Sequence, residues 1–111
     1  MAANFINVKT LAQLDALFKE SHERPVILFK HSDTCGISSG VKSIVSDLDA
    51  ELNVVVVQTD RDISNEIAER TSVRHQSPQA IVIKDGRAVY HASHYDITPE
   101  DIERSIAKIP R

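Results

Sequence analysis

The sequence predicts an α/β domain whose mixed sheet has a parallel core and ends in an antiparallel hairpin. Two apolar runs, at residues 26–29 and 54–57, are typical of strands buried on both faces, and the segment between them has helical periodicity. Two such strands joined through a helix form a right-handed parallel unit. Asp85-Gly86 separates two further apolar runs and is typical of a two-residue type I′ turn, so the last two strands are expected to be antiparallel.

The length and composition indicate one domain covering residues 1–111. Of the residues, 41% are hydrophobic and 26% are charged, as in an ordinary globular protein. The net charge is −3 and the two signs are interspersed, so we expect neither a nucleic-acid partner nor a membrane partner. The first residues lack a charged segment followed by an apolar one, and the single cysteine allows no internal disulfide. Both observations predict a cytoplasmic protein.

The first strand and helix are predicted at the amino end. Residues 5–8 form a short apolar strand candidate. Thr10 and Gln13 have the spacing of a capping box, in which each side chain bonds to the backbone at the other's position. The helix that follows carries one apolar face, formed by Leu11, Leu14, Leu17 and Phe18. It is predicted to end near residues 21–23, because Pro25 cannot continue it.

Two more helices are predicted in the middle of the chain. Six apolar residues recur at helical spacing after the cysteine and predict a helix of four turns: Ile37, Val41, Ile44, Val45, Leu48 and Leu52. Asn53 is expected to end this helix. Beyond the second buried strand, Asp62 or Ser64 is a candidate N-cap for a short helix that passes through Ile67 and Ala68.

The carboxyl end contains the hairpin and a closing helix. Ser77-Pro78 precedes the apolar run 80–83, and a proline at a strand entrance is typical of a cis peptide bond or of a sheet edge. The hairpin partner is residues 88–91. Thr98 then has the properties of an N-cap, with proline and two acidic residues after it, and Ile97 is placed to pack against Ile102.

Cys35 is the candidate reactive residue because it lies where the central strand gives way to a helix. The unpaired amide groups and the dipole of a helix N-terminus favour a thiolate, and can lower a cysteine pKa from about 8.5 to roughly 3.5–7.5. The alternative is a small buried apolar side chain, which is common for single cysteines. Its neighbours are polar or minimal, namely Asp33, Thr34, Gly36 and Ser38. This pattern favours a nucleophilic Cys35.

Other polar residues near Cys35 have more than one interpretation each. The hydroxyl groups of Thr34 and Ser38 either assist the thiolate or cap the helix. His31 and His75 either add positive charge near the sulfur or bind ligand carboxylates, or they are solvated residues of a strand end and a loop, and we favour the last interpretation. The weaker candidates are Lys30 and Arg74. His91 and His94 have no third ligand in the sequence, so no metal site is predicted.

The predicted order of elements resembles that of the thioredoxin superfamily. Three local motifs are similar to the part of thioredoxins that holds the cis-proline: Val73-Arg74, Ser77-Pro78 and Lys84-Asp85-Gly86. Residues 29–38, FKHSDTCGIS, resemble the monothiol bacilliredoxins of the YtxJ type, whose motif is Thr-Cys-Pro-Ile-Ser. The resemblance extends over nearly the whole chain. It implies a thioredoxin-like fold, with three α/β/α layers around the mixed sheet.

The resemblance also implies a site and a reaction. Cys35 would be the attacking cysteine, Pro78 the cis-proline facing it, and the substrate-binding residues would be Thr34, Gly36, Ser38, Ser77 and Pro78. The implied co-substrate is bacillithiol or a similar small thiol, with S-thiolated client proteins as partners and no tightly bound cofactor.

This sequence departs from related motifs at three positions. Gly36 stands where proline is usual, which affects the first helical turn. Ser38 replaces the resolving cysteine of dithiol thioredoxins, and Phe29 replaces their buried acid. A cycle within one molecule is therefore excluded, and an external thiol is required.

Two other functions remain open at this point. Cys35-Gly36-Ile37-Ser38 also resembles the Cys-Gly-Phe-Ser motif of monothiol glutaredoxins, which carry an iron–sulfur cluster between two subunits. The paired glycines with which glutaredoxins hold glutathione have no counterpart after Ala88. The third possibility is a thioredoxin-like interaction domain without catalytic activity.

Overall fold

Five strands form one mixed sheet in the computed structural model of the chain, which describes residues 2–110. The strands are β1 (Asn4–Asn7), β2 (Val26–His31), β3 (Glu51–Val56), β4 (Gln79–Lys84) and β5 (Arg87–Ser93). The helices are α1 (Leu11–Glu20), α2 (Gly36–Val45), α3 (Arg61–Thr71) and α4 (Pro99–Ala107), and a 3-10 turn covers His94–Asp96. The strand order is β1-β3-β2-β4-β5.

The strand pairing confirms the parallel core and the antiparallel hairpin. β3 is parallel to both β1 and β2, whereas β4 is antiparallel to β2 and to β5. Asp85 and Gly86 connect β4 to β5 with positive φ angles of 54° and 75°, as the type I′ turn requires. The carboxyl end of β2 therefore meets the beginning of β4 at one edge of the sheet.

Two apolar clusters cover the two faces of the sheet and give three α/β/α layers. On one face, Val41 of α2 and Ile102 of α4 pack with Phe29 of β2. On the other face, Leu14 of α1 and Ile67 of α3 pack with neighbouring strand residues. Because successive side chains of a strand point to opposite faces, β2 contributes to both clusters and is buried along its whole length. The prediction of a doubly buried central strand is confirmed.

The helix that follows Cys35 is shorter than predicted. It ends at Val45, and Leu52 and Asn53 belong to β3. Leu48 and Leu52 are buried, but in a turn and a strand, so their helical spacing was misleading. The strand begins at Glu51 because that residue pairs with Asn4 of β1. Asn53 does not end a helix, and its buried amide donates to the carbonyl oxygen of Ile27 at 3.0 Å.

The helix N-termini follow the sequence signals with one exception. The capping box of Thr10 and Gln13 is present in full. Thr98 accepts a hydrogen bond from the Asp101 amide, with Pro99 at the first helical position. The N-cap of α3 is Asp60, not Asp62 or Ser64, which both lie inside the helix. Across the described residues, 2–110, no helix has the length and apolar character needed to cross a membrane.

Candidate active site

Cys35 is the N-cap residue of α2, at the end of the loop that leaves β2. Its backbone is extended, with φ −108° and ψ 121°, and its carbonyl oxygen accepts the first helical hydrogen bond, from the Ser39 amide at 3.1 Å. The residue is half-buried. The sequence prediction for its place in the fold is confirmed, because the sulfur lies where strand becomes helix, beside the amide groups of the first turn.

Ser38 ties residues 32–35, called the cysteine loop below, to the first turn of α2. Its Oγ accepts a hydrogen bond from the Ser32 amide at 2.9 Å and lies 2.8 Å from Nδ1 of His31. The other ring nitrogen of His31, Nε2, is 3.2 Å from Oδ1 of Asp33. The hydroxyl group of Ser38 is fully buried and already committed to these partners. Ser38 therefore does not cap α2, and this interpretation from the sequence is wrong, whereas assistance to the thiolate stays a prediction.

His31 is buried at the end of β2, so the expectation of a solvated histidine is also wrong. Burial lowers its pKa, Lys42 adds to this effect, and Asp33 opposes it. A neutral ring can accept from the Ser38 hydroxyl at Nδ1 and donate from Nε2 to Asp33. These partners therefore select the tautomer that carries its proton on Nε2. The ring bridges the loop and the helix on either side of Cys35.

A second clamp on the cysteine loop comes from Gln58, which follows β3. Its amide nitrogen donates to Oγ of Ser32 at 2.6 Å and to Oγ1 of Thr34 at 2.9 Å. Its side-chain oxygen accepts from the Asp33 amide at 3.2 Å. Thr34 is exposed and faces Gln58, so its hydroxyl group braces the loop. Sequence analysis missed Gln58, although a polar residue after a buried parallel strand lies where α/β sites form.

The segment that enters β4 lies beside the cysteine loop. Lys30 pairs with Gln79, so the antiparallel register places Pro78 next to His31. The Ser77-Pro78 peptide bond is cis, which is one of the two alternatives left open by the sequence. The carbonyl oxygen of Pro78 accepts from the His94 amide at 3.0 Å. Oγ of Ser77 is buried and has no hydrogen-bond partner among residues 2–110.

Gly36 is not required by the backbone conformation. It is exposed, its φ is not positive, and a Cβ atom built on it would have no neighbour within 4 Å. The structure would therefore accept a larger residue at this position.

Lys30 and His75 are in contact on the opposite face of the sheet. The ammonium nitrogen of Lys30 lies 3.1 Å from Nδ1 of His75 and donates to the carbonyl oxygen of Ser64 at 2.9 Å. Lys30 was one of the weaker candidates from the sequence, yet its side chain is fully buried. His75 is exposed, as expected of a loop residue, but its ring is not free. The carbonyl oxygen of Arg74 accepts from the side-chain amide nitrogen of Gln79 at 2.9 Å.

Metal-binding side chains do not converge anywhere in the described part of the chain. No group of three or more histidine, cysteine, aspartate or glutamate residues within residues 2–110 has the geometry to hold an ion. His91 and His94 lie in β5 and in the 3-10 turn that follows it.

The fold and the placement of Cys35 and Pro78 define the class of protein as a thioredoxin-like redox protein. One solved structure described as an oxidoreductase with a thioredoxin fold is 30% identical, with a TM-score of 0.83, and the match covers 91% of this chain and 92% of that chain. Thioredoxin from Schistosoma mansoni shares the fold at 18% identity and a TM-score of 0.73, covering 96% of both chains. Mitochondrial thioredoxin 3 from Saccharomyces cerevisiae does so at 16% identity and a TM-score of 0.71, covering 95% of both.

The family is narrower than this class. The model of the family described as monothiol bacilliredoxin BrxC matches residues 6–102, and the chain belongs to that family. The family resemblance inferred from residues 29–38 is thereby confirmed. The chain is a thioredoxin-like thiol oxidoreductase.

Proposed function

We propose that the protein removes a small-thiol cap from client proteins through Cys35 alone. The observation that carries this proposal is that a half-buried Cys35 forms the N-cap of α2 and is followed three residues later by a serine. That serine, Ser38, is held by Ser32 and His31. The chain has one cysteine, so every disulfide that it forms must join it to another molecule.

The reaction consists of two thiol–disulfide exchanges. In the first, the Cys35 thiolate attacks the small-thiol sulfur of the client's mixed disulfide, a new disulfide joins Cys35 to the small thiol, and the client thiolate leaves and takes up a proton. In the second, another small-thiol molecule attacks that disulfide as a thiolate. The Cys35 thiolate is released together with the disulfide of two small thiols. The two electrons come from the small thiol, and no further reductant is needed.

The residues around Cys35 have supporting roles in this proposal. Ser38, His31 and Gln58 fix the loop so that the sulfur stays at the helix end. Residues Ser77 and Pro78, at the neighbouring strand entrance, give the incoming disulfide a backbone edge to lie against, as an extended peptide does on a sheet edge. Bacillithiol is the proposed small thiol on the strength of the family alone.

The test is transfer of the cap to Cys35. A model protein capped with bacillithiol on one cysteine is mixed with the reduced protein, and intact masses of both are followed by mass spectrometry. The expected result is that the added mass moves from the client to Cys35, and that free bacillithiol then removes it. Cys35→Ser should show no transfer. A client that keeps its cap in the presence of the wild-type protein would overturn the proposal.

A client capped with glutathione is the specificity control. Transfer from both clients at equal rates would contradict bacillithiol as the preferred thiol, while leaving the reaction type standing.

A further inference from the structure

A partly buried cluster on the face of the sheet opposite α2 joins three separate elements. Lys30 comes from β2, Ser64 from α3, and His75 from residues 72–78, which connect α3 to β4 and are called the proline segment below. The Lys30 ammonium lies 2.9 Å from the carbonyl oxygen of Ser64 and 3.1 Å from Nδ1 of His75. Oγ of Ser64 is 3.2 Å from the same ring nitrogen. None of these groups has a place in the exchange reaction described above.

The contact between Lys30 and His75 exists in one protonation state of the ring. An ammonium group only donates hydrogen bonds, so Nδ1 of His75 must accept. The ring is then neutral and carries its proton on Nε2. A proton added at Nδ1 would bring two donors and two positive charges to about 3 Å from each other, which is unfavourable next to the buried Lys30 ammonium group.

The surrounding charges also oppose a protonated His75. Burial lowers the pKa of His75, and both Lys30 and Arg61 of α3 lower it further. Burial lowers the pKa of Lys30 to about 8, so Lys30 remains charged in neutral and acidic solution. The carboxylate at the start of α3, Asp60, is paired with Lys9 at 3.0 Å. The two charged groups that act on the ring, Lys30 and Arg61, are therefore both positive.

The proline segment is anchored at its two ends, by the buried Val73 and by the hydrogen bond from the His94 amide to the Pro78 carbonyl oxygen, and few hydrogen bonds hold the residues between them. It has no regular secondary structure between Val73 and Gln76. Gln79 closes the segment on itself by donating to the carbonyl oxygen of Arg74, and His75 attaches it to β2 through Lys30. Lys30 is followed directly by His31 and by the loop that carries Cys35. The contact therefore connects the two segments that border the sulfur.

We propose that the Lys30–His75 contact holds the proline segment in place beside Cys35, and that uptake of a proton by His75 in mildly acidic solution releases the segment and slows thiol–disulfide exchange. His75 and Lys30 are positioning residues in this proposal. The effect on exchange rests on the proposed function, whereas the coupling between the ring and the segment does not.

The structural part is tested by NMR on the full chain. The imidazole of His75 and the backbone amides of residues 73–77 are followed from about pH 8 to about pH 5, which spans the titration range of histidine. In the wild-type protein, the ring and these amides should titrate together, with a midpoint below 6.5. In His75→Asn, whose side-chain oxygen can accept from Lys30 but does not titrate, the amides should remain unchanged. Amides that stay constant while the wild-type ring titrates would overturn the proposal.

The functional part uses the rate of exchange of Cys35 with a small mixed disulfide. Because the thiol itself titrates, the measured quantity is the ratio of the His75→Asn rate to the wild-type rate at each pH. This ratio should be about 1 at pH 8 and rise to about tenfold one pH unit below the His75 midpoint. His91→Asn, which removes an exposed histidine of β5, should give a ratio of about 1 throughout.

The outcomes separate this inference from the proposed function. A ratio for His75→Asn that stays constant with pH would overturn the inference while exchange itself continues. If no form of the protein exchanges, the proposed function fails, and the NMR titration alone then decides whether His75 controls the proline segment. His75→Leu, which removes the acceptor, should exchange more slowly than the wild type above the His75 midpoint, and the two rates should converge below it.

Discussion

His31 and Lys30 are neighbours in β2, yet their side chains point to opposite faces of the sheet and hold different parts of the site. His31 connects Ser38 and Asp33 and so fixes the cysteine loop. Lys30 connects Ser64 and His75 and so fixes the proline segment. On the His31 side, the neutral ring accepts a hydrogen bond from the Ser38 hydroxyl and donates one to Asp33, so both partners are satisfied. On the Lys30 side, a buried cation contacts only neutral acceptors.

This difference indicates that the two sides respond differently to pH. The network around His31 is complete when its ring is neutral, and burial together with Lys42 lowers the pKa of that ring. The contact at Lys30 needs a second group, His75, to stay neutral beside a charge. The cysteine side is therefore the rigid half of the site, and the proline side is the half that protons can alter.

The largest expected effect concerns the buried charge of Lys30. Its pKa is lowered from 10.5 to about 8 by burial, so between these values the unfolded chain binds the extra proton and the folded chain does not. The free energy of unfolding should therefore rise from pH 8 to pH 10.5, by about 3 kcal/mol from this residue. Lys30→Met should lack this rise. Urea denaturation across this pH range measures it, with the exposed Lys19→Met as the matched control.

Equal pH dependence in the wild type and Lys30→Met would show that Lys30 is not held as a buried charge. The contrast between the two sides of β2 would then disappear.

Removal of the Ser38 hydroxyl should have the next largest effect. Ser38→Ala leaves the buried Ser32 amide and Nδ1 of His31 without their partner. An unsatisfied buried polar group costs about 1–3 kcal/mol of unfolding free energy. Ser39→Ala, one residue further along α2 and exposed, should change stability by less than about 0.5 kcal/mol. If denaturation midpoints of the two variants coincide, Ser38 does not anchor the cysteine loop.

A smaller effect is expected from the exposed clamp made by Gln58. Its hydrogen bond to Thr34 should give a coupling energy of about 0.5–1 kcal/mol in a double-mutant cycle that combines Gln58→Ala with Thr34→Val. The cycle is measured by urea denaturation of the wild type, both single variants and the double variant. Strictly additive effects would mean that the two side chains hold the loop independently.

The smallest effect is expected at Gly36. The backbone of Cys35 is extended, as a residue before proline requires, and position 36 is the first of the helix. Gly36→Pro should raise the free energy of unfolding by about 0.5–1 kcal/mol, because it restricts the unfolded chain. Gly40→Ala, inside α2, should stabilise to a similar extent. Only Gly36→Pro should also change the exchange rate of Cys35, and equal exchange in both variants would contradict a role of residue 36 in the loop.

Local signals predicted much of the fold because their causes are local. The capping box at Thr10, the N-cap at Thr98 and the turn at Asp85 each depend on residues within a few positions. The end of α2 was mispredicted because the pairing of Glu51 with Asn4, far away in the chain, decides where β3 begins. Apolar residues that recur every three to four positions indicate which side chains are buried. Burial alone does not distinguish a helix from a turn followed by a strand.

The residues of the candidate site likewise divide into those that local sequence signals predicted and those that they did not. Cys35 was recognisable because the change from a buried strand to an amphipathic helix is written in adjacent residues, and the family motif is equally local. The sequence did not reveal the side-chain contacts around the site. These are the partners of Ser38, the clamp by Gln58 and the contact between Lys30 and His75, and strand pairing and helix packing bring them together.

By itself, then, the sequence determined the approximate positions of the strands, most helix N-termini and the position of the Cys35 sulfur at the start of α2, because short-range periodicity and capping chemistry specify them. Only the tertiary structure decided which polar side chains support that sulfur. The physical reason is that hydrogen bonds between such side chains depend on strand pairing and helix packing, which bring residues 45 positions apart, Lys30 and His75, to a distance of 3.1 Å.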